Sequence, residues 1–435
     1  MTAPSPGTPA RKPRRRWRWH VPPALVHGSE TLEGTEIFED VTGPAGMVLW
    51  QTMRDVTLWA SVREVEERAE LFQPGAHQRR LAELEAAGVD AAIEAPLRVL
   101  AQVSRDPAGR TEEELLTACR EISQWAEERE MRSVAIAFAQ AGALASPAHA
   151  SAGFRVGQLA RDKAEHARAE TWFRRTIGLG RQAKDWASYS EAFLGLGNLY
   201  ILRGNYPAAR RFHIRGLRAA RRHGLRDIQA RALHDLFVIA VDTGAPPAEA
   251  QEYARAAFRA YGNHHPRLPR LAHDLAYFWM QRGRFSQSLA VFQAILPQMA
   301  NNGERLMTLA DIGRAAGGAG NREVFDEAWS EVWSVSGDWD KRSNAAQALL
   351  DLARGAASLK DWARAERAAS TAREVATRRE EARVALEAET VLDSVTRRRA
   401  LESAEPAGGE EQADAEDLFT DLLRSLTAEP ANGRK

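Results

Sequence analysis

Two His-Asp pairs, His234-Asp235 and His273-Asp274, with His264 and His265 between them, are the residues of this 435-residue chain best equipped for chemistry. Imidazole nitrogens beside carboxylates are the ligand set of a divalent metal and the partners of acid-base work. Two glycine-rich stretches invite a second reading, since backbone amides freed of side chains can cradle phosphate. One is Gly195-Leu196-Gly197-Asn198-Leu199-Tyr200, the other Gly317-Gly318-Ala319-Gly320-Asn321. Each candidate depends on where its segment lies. A dinucleotide fingerprint sits between a strand and a helix, whereas the first stretch lies inside a helical pattern, and the second falls at a turn between helices. No nucleotide, metalloprotease or hydrolase motif is present. The chain is therefore not expected to be an enzyme, and no cofactor or metal is implied.

The elements that must carry these residues are helices. Ala, Leu, Arg and Glu dominate, and no sustained Val/Ile/Thr alternation marks a strand. The length suits two or three globular domains or one elongated array. Formal charge balances at zero, yet residues 11–20 (RKPRRRWRWH) are strongly basic and the last thirty-odd are acidic. Cys119 is the only cysteine, so no disulfide can form within the chain, and a reducing compartment suits it. The N-terminal arginines lead into no continuous apolar run, and the most apolar internal stretch, 134–145, is too short to span a bilayer. A cytoplasmic location is expected.

A repeat organises the centre. Gly157, Gly197, Phe237, Ala276, Gly313 and Ala353 recur about every forty residues, each preceded by an apolar residue and most followed three later by another. A break falls seven residues after most of them, at Gly204, Gly244, Gly283, Gly320 and Lys360. Each unit reads as helix, tight turn, helix. Around Gly197, residues 187–203 give the first helix, Gly204-Asn205-Tyr206 the turn and 207–224 the second, with Pro207 tolerated in its first turn. Gly204 and Gly224 read as C-terminal caps. Gly197 stands in mid-helix, where glycine costs about 1 kcal/mol against alanine, so a close neighbour is expected beside it.

Phe193-x2-Leu196-Gly197-x2-Tyr200, followed by Gly204, Tyr206 and Ala209, resembles the tetratricopeptide repeat, whose signature is W-x2-L-G-x2-Y and then A-x3-F and a proline. Phenylalanine replaces the tryptophan. The later aromatic appears as Ala169-x3-Phe173 and Ser288-x3-Phe292, while His213 takes that slot in the central unit. The likeness covers roughly 148–380. Its period exceeds the usual length of about 34 residues and looks like the longer-helix variety of bacterial peptide-responsive regulators and eukaryotic adaptor scaffolds. The resemblance implies an all-α, α-solenoid fold of stacked helix-turn-helix (TPR-like) repeats, with protein-protein interaction as its business. In its carboxylate-clamp members, Asn198 would match the clamp asparagine, but Leu194 stands where the clamp lysine would be, so a chaperone-tail receptor is not supported.

In such a stack the first helices line a concave groove. Its candidate residues are Gln158, Arg161, Glu191 and Asn198, then Arg231, His234, Val238 and Arg270, then His273, Tyr277, Arg314 and Arg354. On this register His234 and His273 stand side by side along one surface and do not converge on a metal. Cations outnumber acids, so an acidic peptide or carboxylate is the expected ligand; solvated helix faces are the competing reading.

The domain map follows. Residues 1–30 are a disordered basic tail, 31–147 a divergent helical region that continues or caps the stack, and 148–400 the repeats. Residues 401–435 form an acidic flexible tail with a short amphipathic helix over 417–426. That helix is expected to dock on the chain's own basic groove as a self-ligand. Arginine interleaved with Trp17 and Trp19 suits nucleic acid or an anionic membrane, but a flexible tail of this kind is not expected to bind either specifically. The best reading is a non-catalytic scaffold, adaptor or peptide sensor. A nucleic-acid-associated factor and an enzyme with its site in the N-terminal helices are the alternatives, and no helix-turn-helix DNA-binding domain is visible in 30–110. The sequence leaves the oligomeric state open.

Overall fold

A computed structural model describes residues 34–62, 64–299, 302–334, 339, 344–379, 381–398 and 409–427. The basic tail falls outside the described residues, as do 399–408 of the linker before the last helix. All regular structure among the described residues is helical. Two compact units divide the chain, Met1–Ala219 and Ala220–Lys435.

The first unit contains α1 (Ile37–Asp40), α2 (Gly43–Ser61), α3 (Val65–Arg68), α4 (Ala76–Ala87), α5 (Ala91–Ala101), α6 (Glu112–Glu128), α7 (Arg132–Ala145), α8 (Ala150–Asp162), α9 (His166–Ala183), α10 (Trp186–Leu202) and α11 (Tyr206–Arg222), the last running just past the unit boundary. The apolar stretch at 134–145 is α7, buried on nearly every side because α1, α2, α6 and α8 all pack on it. A helix apolar all round belongs in a core. Its free amides are met by α1: Asp40 accepts from Ser133 N at 2.6 Å and Val134 N at 3.0 Å. Thr111 and Glu114 form a reciprocal capping box at the start of α6. Trp59 on α2 is fully buried and donates through Nε1 to Pro107 O at 2.7 Å.

Gly197 and Gly204 solve two separate problems. Gly204 follows α10 with φ +68°, the left-handed region glycine enters at no steric cost. Gly197 lies under the buried His213 ring of α11, and a Cβ there would collide with that ring. The close neighbour is the second helix of the same hairpin, and His213 fills the space that the more usual phenylalanine of the signature would occupy.

The second unit contains α12 (Arg226–Asp242), α13 (Pro247–Tyr261), α14 (Leu268–Met280), α15 (Phe285–Ile295), α16 (Asn302–Ala319), α17 (Arg322–Ser334), α18 (Ala345–Ser358), α19 (Trp362–Arg378), α20 (Ala382–Thr396) and α21 (Gly409–Thr427). From α12 to α20 each helix packs on its chain neighbours, and the first helices α12, α14, α16, α18 and α20 also meet one another in order, α16 and α18 most extensively. All six repeat anchors of the sequence fall within first helices, and all are buried. Helix α21 breaks the order and rests on α13, α14 and α15.

Candidate functional site

The first helices of the second unit meet through a ladder of side chains. His234 on α12 bonds through Nε2 to Asp274 Oδ2 on α14 at 2.8 Å, and His273 on α14 through Nε2 to Asp311 Oδ2 on α16 at 2.9 Å. Arg314 on α16 donates to Asp351 Oδ1 on α18 at 2.7 Å. Arg354 on α18 donates to the same oxygen at 3.1 Å and to Glu387 Oε2 on α20 at 2.9 Å. Gln347 Nε2 holds the other Asp351 oxygen at 2.9 Å. Each joint thus sets a cationic or imidazole side chain of one first helix against a carboxylate of the next. Asp311 and Asp351 are completely buried, where an ion is tolerated only with its partners in place.

Burial alone would lower the His273 pKa, but hydrogen bonds to Asp274 and Asp311 outweigh it and hold the imidazole up at about 10. Burial would raise Asp274, yet His234 and His273 hold its carboxyl well below the usual range. For Asp311 burial prevails over His273, and its carboxyl is pushed up. The charge of Asp351, then burial, pushes the Tyr277 phenol up to about 12, and Arg314 Nη1 lies 3.4 Å from its hydroxyl oxygen.

Of the twelve residues singled out from the sequence, the structure joins His234, His273, Tyr277, Arg314 and Arg354 into this ladder. Arg231 is half-buried and paired with Asp227 at 2.9 Å, a carboxylate that His265 also reaches at 3.0 Å. Val238 is half-buried and Arg270 exposed. In the first unit, Gln158, Glu191 and Asn198 are half-buried, and Arg161 pairs with its neighbour Asp162 at 2.8 Å. The cations expected to present a basic face are therefore largely spent on carboxylates of the chain itself. Of those carboxylates, Asp274 was read only as the companion of His273, and Asp311, Asp351 and Glu387 were missed by the sequence reading. Their signal was there: Asp311 and Asp351 stand one turn before Arg314 and Arg354, at matching places in successive repeats.

His234 and His273 share Asp274, His273 also reaches Asp311, and His265 turns to Asp227. Among the described residues, no group of three or more His, Cys, Asp or Glu side chains is arranged to hold a metal. The ladder fixes the spacing and order of first helices and leaves a face of nearly balanced charge.

The amphipathic segment expected at 417–426 is helical within α21, and the expected basic groove is not its seat. Leu418 and Leu422 are buried, and Phe419 meets Trp279 edge-on with ring centroids 6.0 Å apart. Burial of apolar side chains decides the location, because the groove's cations already have partners.

No family model matches the sequence, and no curated protein matches it. Among solved structures, PilF of Pseudomonas aeruginosa aligns at 15% identity over 52% of this chain and 93% of its own, with a TM-score of 0.40. A Rap protein complexed with competence and sporulation factor aligns at 12% identity over 81% and 97%, with a TM-score of 0.43. The apo form of RapI aligns at 11% identity over 80% and 98%, also at 0.43. No helix among the described residues is long and apolar enough to cross a membrane. By its own geometry, successive antiparallel hairpins with small or aromatic anchors buried in the first helices, the chain has an all-α, α-solenoid fold of TPR-like repeats.

Proposed function

We propose that the chain is a non-catalytic scaffold that binds a segment of another protein along the first-helix face of α12, α14 and α16. The observation supporting this reading is the ladder. It holds successive first helices at a set spacing, so side chains beside it, such as Val238, Arg270 and Tyr277, recur as a row an extended segment can follow. Arg270 is the exposed cation of that row and suits one carboxylate of the ligand; the rest of the contact is apolar or hydrogen-bonded. We read residues 31–147 as the cap of the array, a reading supported by the buried face of α2, Leu49, Met53, Val56 and Trp59.

The test is affinity capture with the full chain beside Arg270→Glu and Val238→Asp variants, with Arg373→Glu on the exposed side of α19 as control. Loss of the same partner in both groove variants and its retention in the control is expected, with slower amide exchange in α12 and α14 when the partner is bound. Undiminished capture by both groove variants would discard this face as the binding surface.

A further inference from the structure

Among the described residues of the second unit, α21 is the one helix that does not pack beside its chain neighbour. It lies on α13, α14 and α15, and Gln298 beside α15 donates to Leu426 O at 3.4 Å across 128 residues of sequence. Its contact side is apolar and narrow: Leu418 is 2% exposed, Leu422 is 0% exposed, and Phe419 is set against Trp279. Its outer side, Glu416, Asp417, Thr420, Asp421 and Arg424, is exposed, and its one ion pair among the described residues, Arg424 with Asp421, is internal to the helix. Among the described side chains of α21, 416–427, no ion pair is thus used to hold it down. Beneath Phe419, Trp279 is completely buried and its indole N–H has no acceptor among the described residues. A buried donor left unmet weakens the docked arrangement. Five helices, α16–α20, separate α15 from α21 in the chain.

We propose that the seat on α13–α15 is a helix-binding site that α21 occupies in cis, and that the partner it fits is an amphipathic helix of another protein with Leu, Phe and Leu at the spacing of Leu418, Phe419 and Leu422. The resident helix supplies the template for that chemistry. Its apolar triplet fills the seat, and its acidic outer side keeps the helix in water. Tethering gives α21 an effective concentration of about a millimolar, so a foreign helix must exceed it in fit, and the occupied seat rejects weak competitors. The site lies mainly on second helices and does not depend on the first-helix reading above.

The experiment uses the full chain carrying Leu418→Asp and Leu422→Asp, which vacates the seat, and a fluorescent synthetic peptide of residues 409–427 as probe. The opened variant should bind the peptide saturably and at least about tenfold more tightly than the wild-type chain. Added peptide should slow amide exchange in α13 and α15 while α12, α16 and α18 are unchanged, and a peptide carrying the same two aspartates should not bind. Native thermal unfolding of α1–α20 in the variant confirms that the receptor is intact. Absence of peptide binding to that folded variant would overturn the proposal. So would concentration-dependent dimerisation of the wild type with a monomeric variant, because a second copy would then be the occupant.

Discussion

The joint between α8 and α10 in the first unit and the joints between first helices in the second solve one problem in two ways. In the first unit, Phe173 of α9 enters a notch left by two glycines: a Cβ on Gly157 or on Gly195 would lie 2.6 Å from its ring. The surroundings are Ala160, Ala192, Leu196 and Leu199, with Phe154 at 5.7 Å between ring centroids. Spacing there is set by missing side chains. In the second unit opposite charges cross each joint, with Asp311 and Asp351 wholly buried, and among the described residues only the α16–α18 joint adds a glycine contact, where a Cβ on Gly355 would lie 2.6 Å from Gly313 O. The same hairpin period can therefore be held by steric fit or by ion pairing, and the two should answer differently to volume and to pH.

The largest effect should come from removing the shared carboxylate. Asp351→Ala strands Arg314 and Arg354 beside each other and should cost about 3–5 kcal/mol, read by denaturant unfolding, with amide protection lost in α16–α20 and kept in α8–α10. Equal loss in both units would erase the distinction. Next is the notch: Gly157→Val forces the Phe173 ring aside and should cost about 1–3 kcal/mol. A double-mutant cycle with Phe173→Leu should recover part of that cost, and full additivity would mean the ring is not what fills the space.

The pH response sharpens the contrast further. The His273 pKa is raised to about 10, so its contribution to stability is complete below the unfolded histidine pKa of about 6.5 and is lost as pH rises through about 10. Asp274 is depressed, so its contribution is present above the usual carboxylate pKa and is lost as pH falls below it. Asp311, pushed up by burial, works in the opposite sense: ionising it opposes the fold, and that opposition eases as pH falls. Amide exchange between pH 5 and 10.5 should show α14 and α16 loosening at the alkaline end, while α8 and α10 hold; a His273→Gln variant should flatten that trend. Smallest of all, Arg270→Glu should change stability by less than about 0.5 kcal/mol, measured by thermal unfolding, since Arg270 is exposed.

The repeat itself was legible because it is written in positions that cannot vary freely. Gly197 and Ala276 are small where packing demands it, and Gly204 is glycine where the backbone turns left-handed. The joints were less legible. Counting His234, Arg314 and Arg354 as a basic face omitted the carboxylates one hairpin away, because a helix-by-helix reading sees neighbours at three and four residues and not at a repeat length; for Arg231 the omitted acid was Asp227, one turn back on α12. Asp274 looked like the companion of His273, next to it in sequence, when its shortest bond runs to His234 at 2.8 Å. The seat of α21 was hidden for a related reason: an acidic tail and a groove counted as basic suggested Coulomb attraction, whereas two leucines and a phenylalanine set the location.

The ladder also has a direction. At every joint the basic or imidazole member comes from the earlier first helix and the acid from the later one: His234 with Asp274, His273 with Asp311, Arg314 with Asp351, Arg354 with Glu387. Excising one hairpin whole, say α14 and α15, would bring His234 opposite Asp311 and still match base to acid. Duplicating one would do the same. The interlock works as a grammar that any well-formed insertion or deletion obeys, and such a chain can lengthen or shorten over evolutionary time without inventing a new interface.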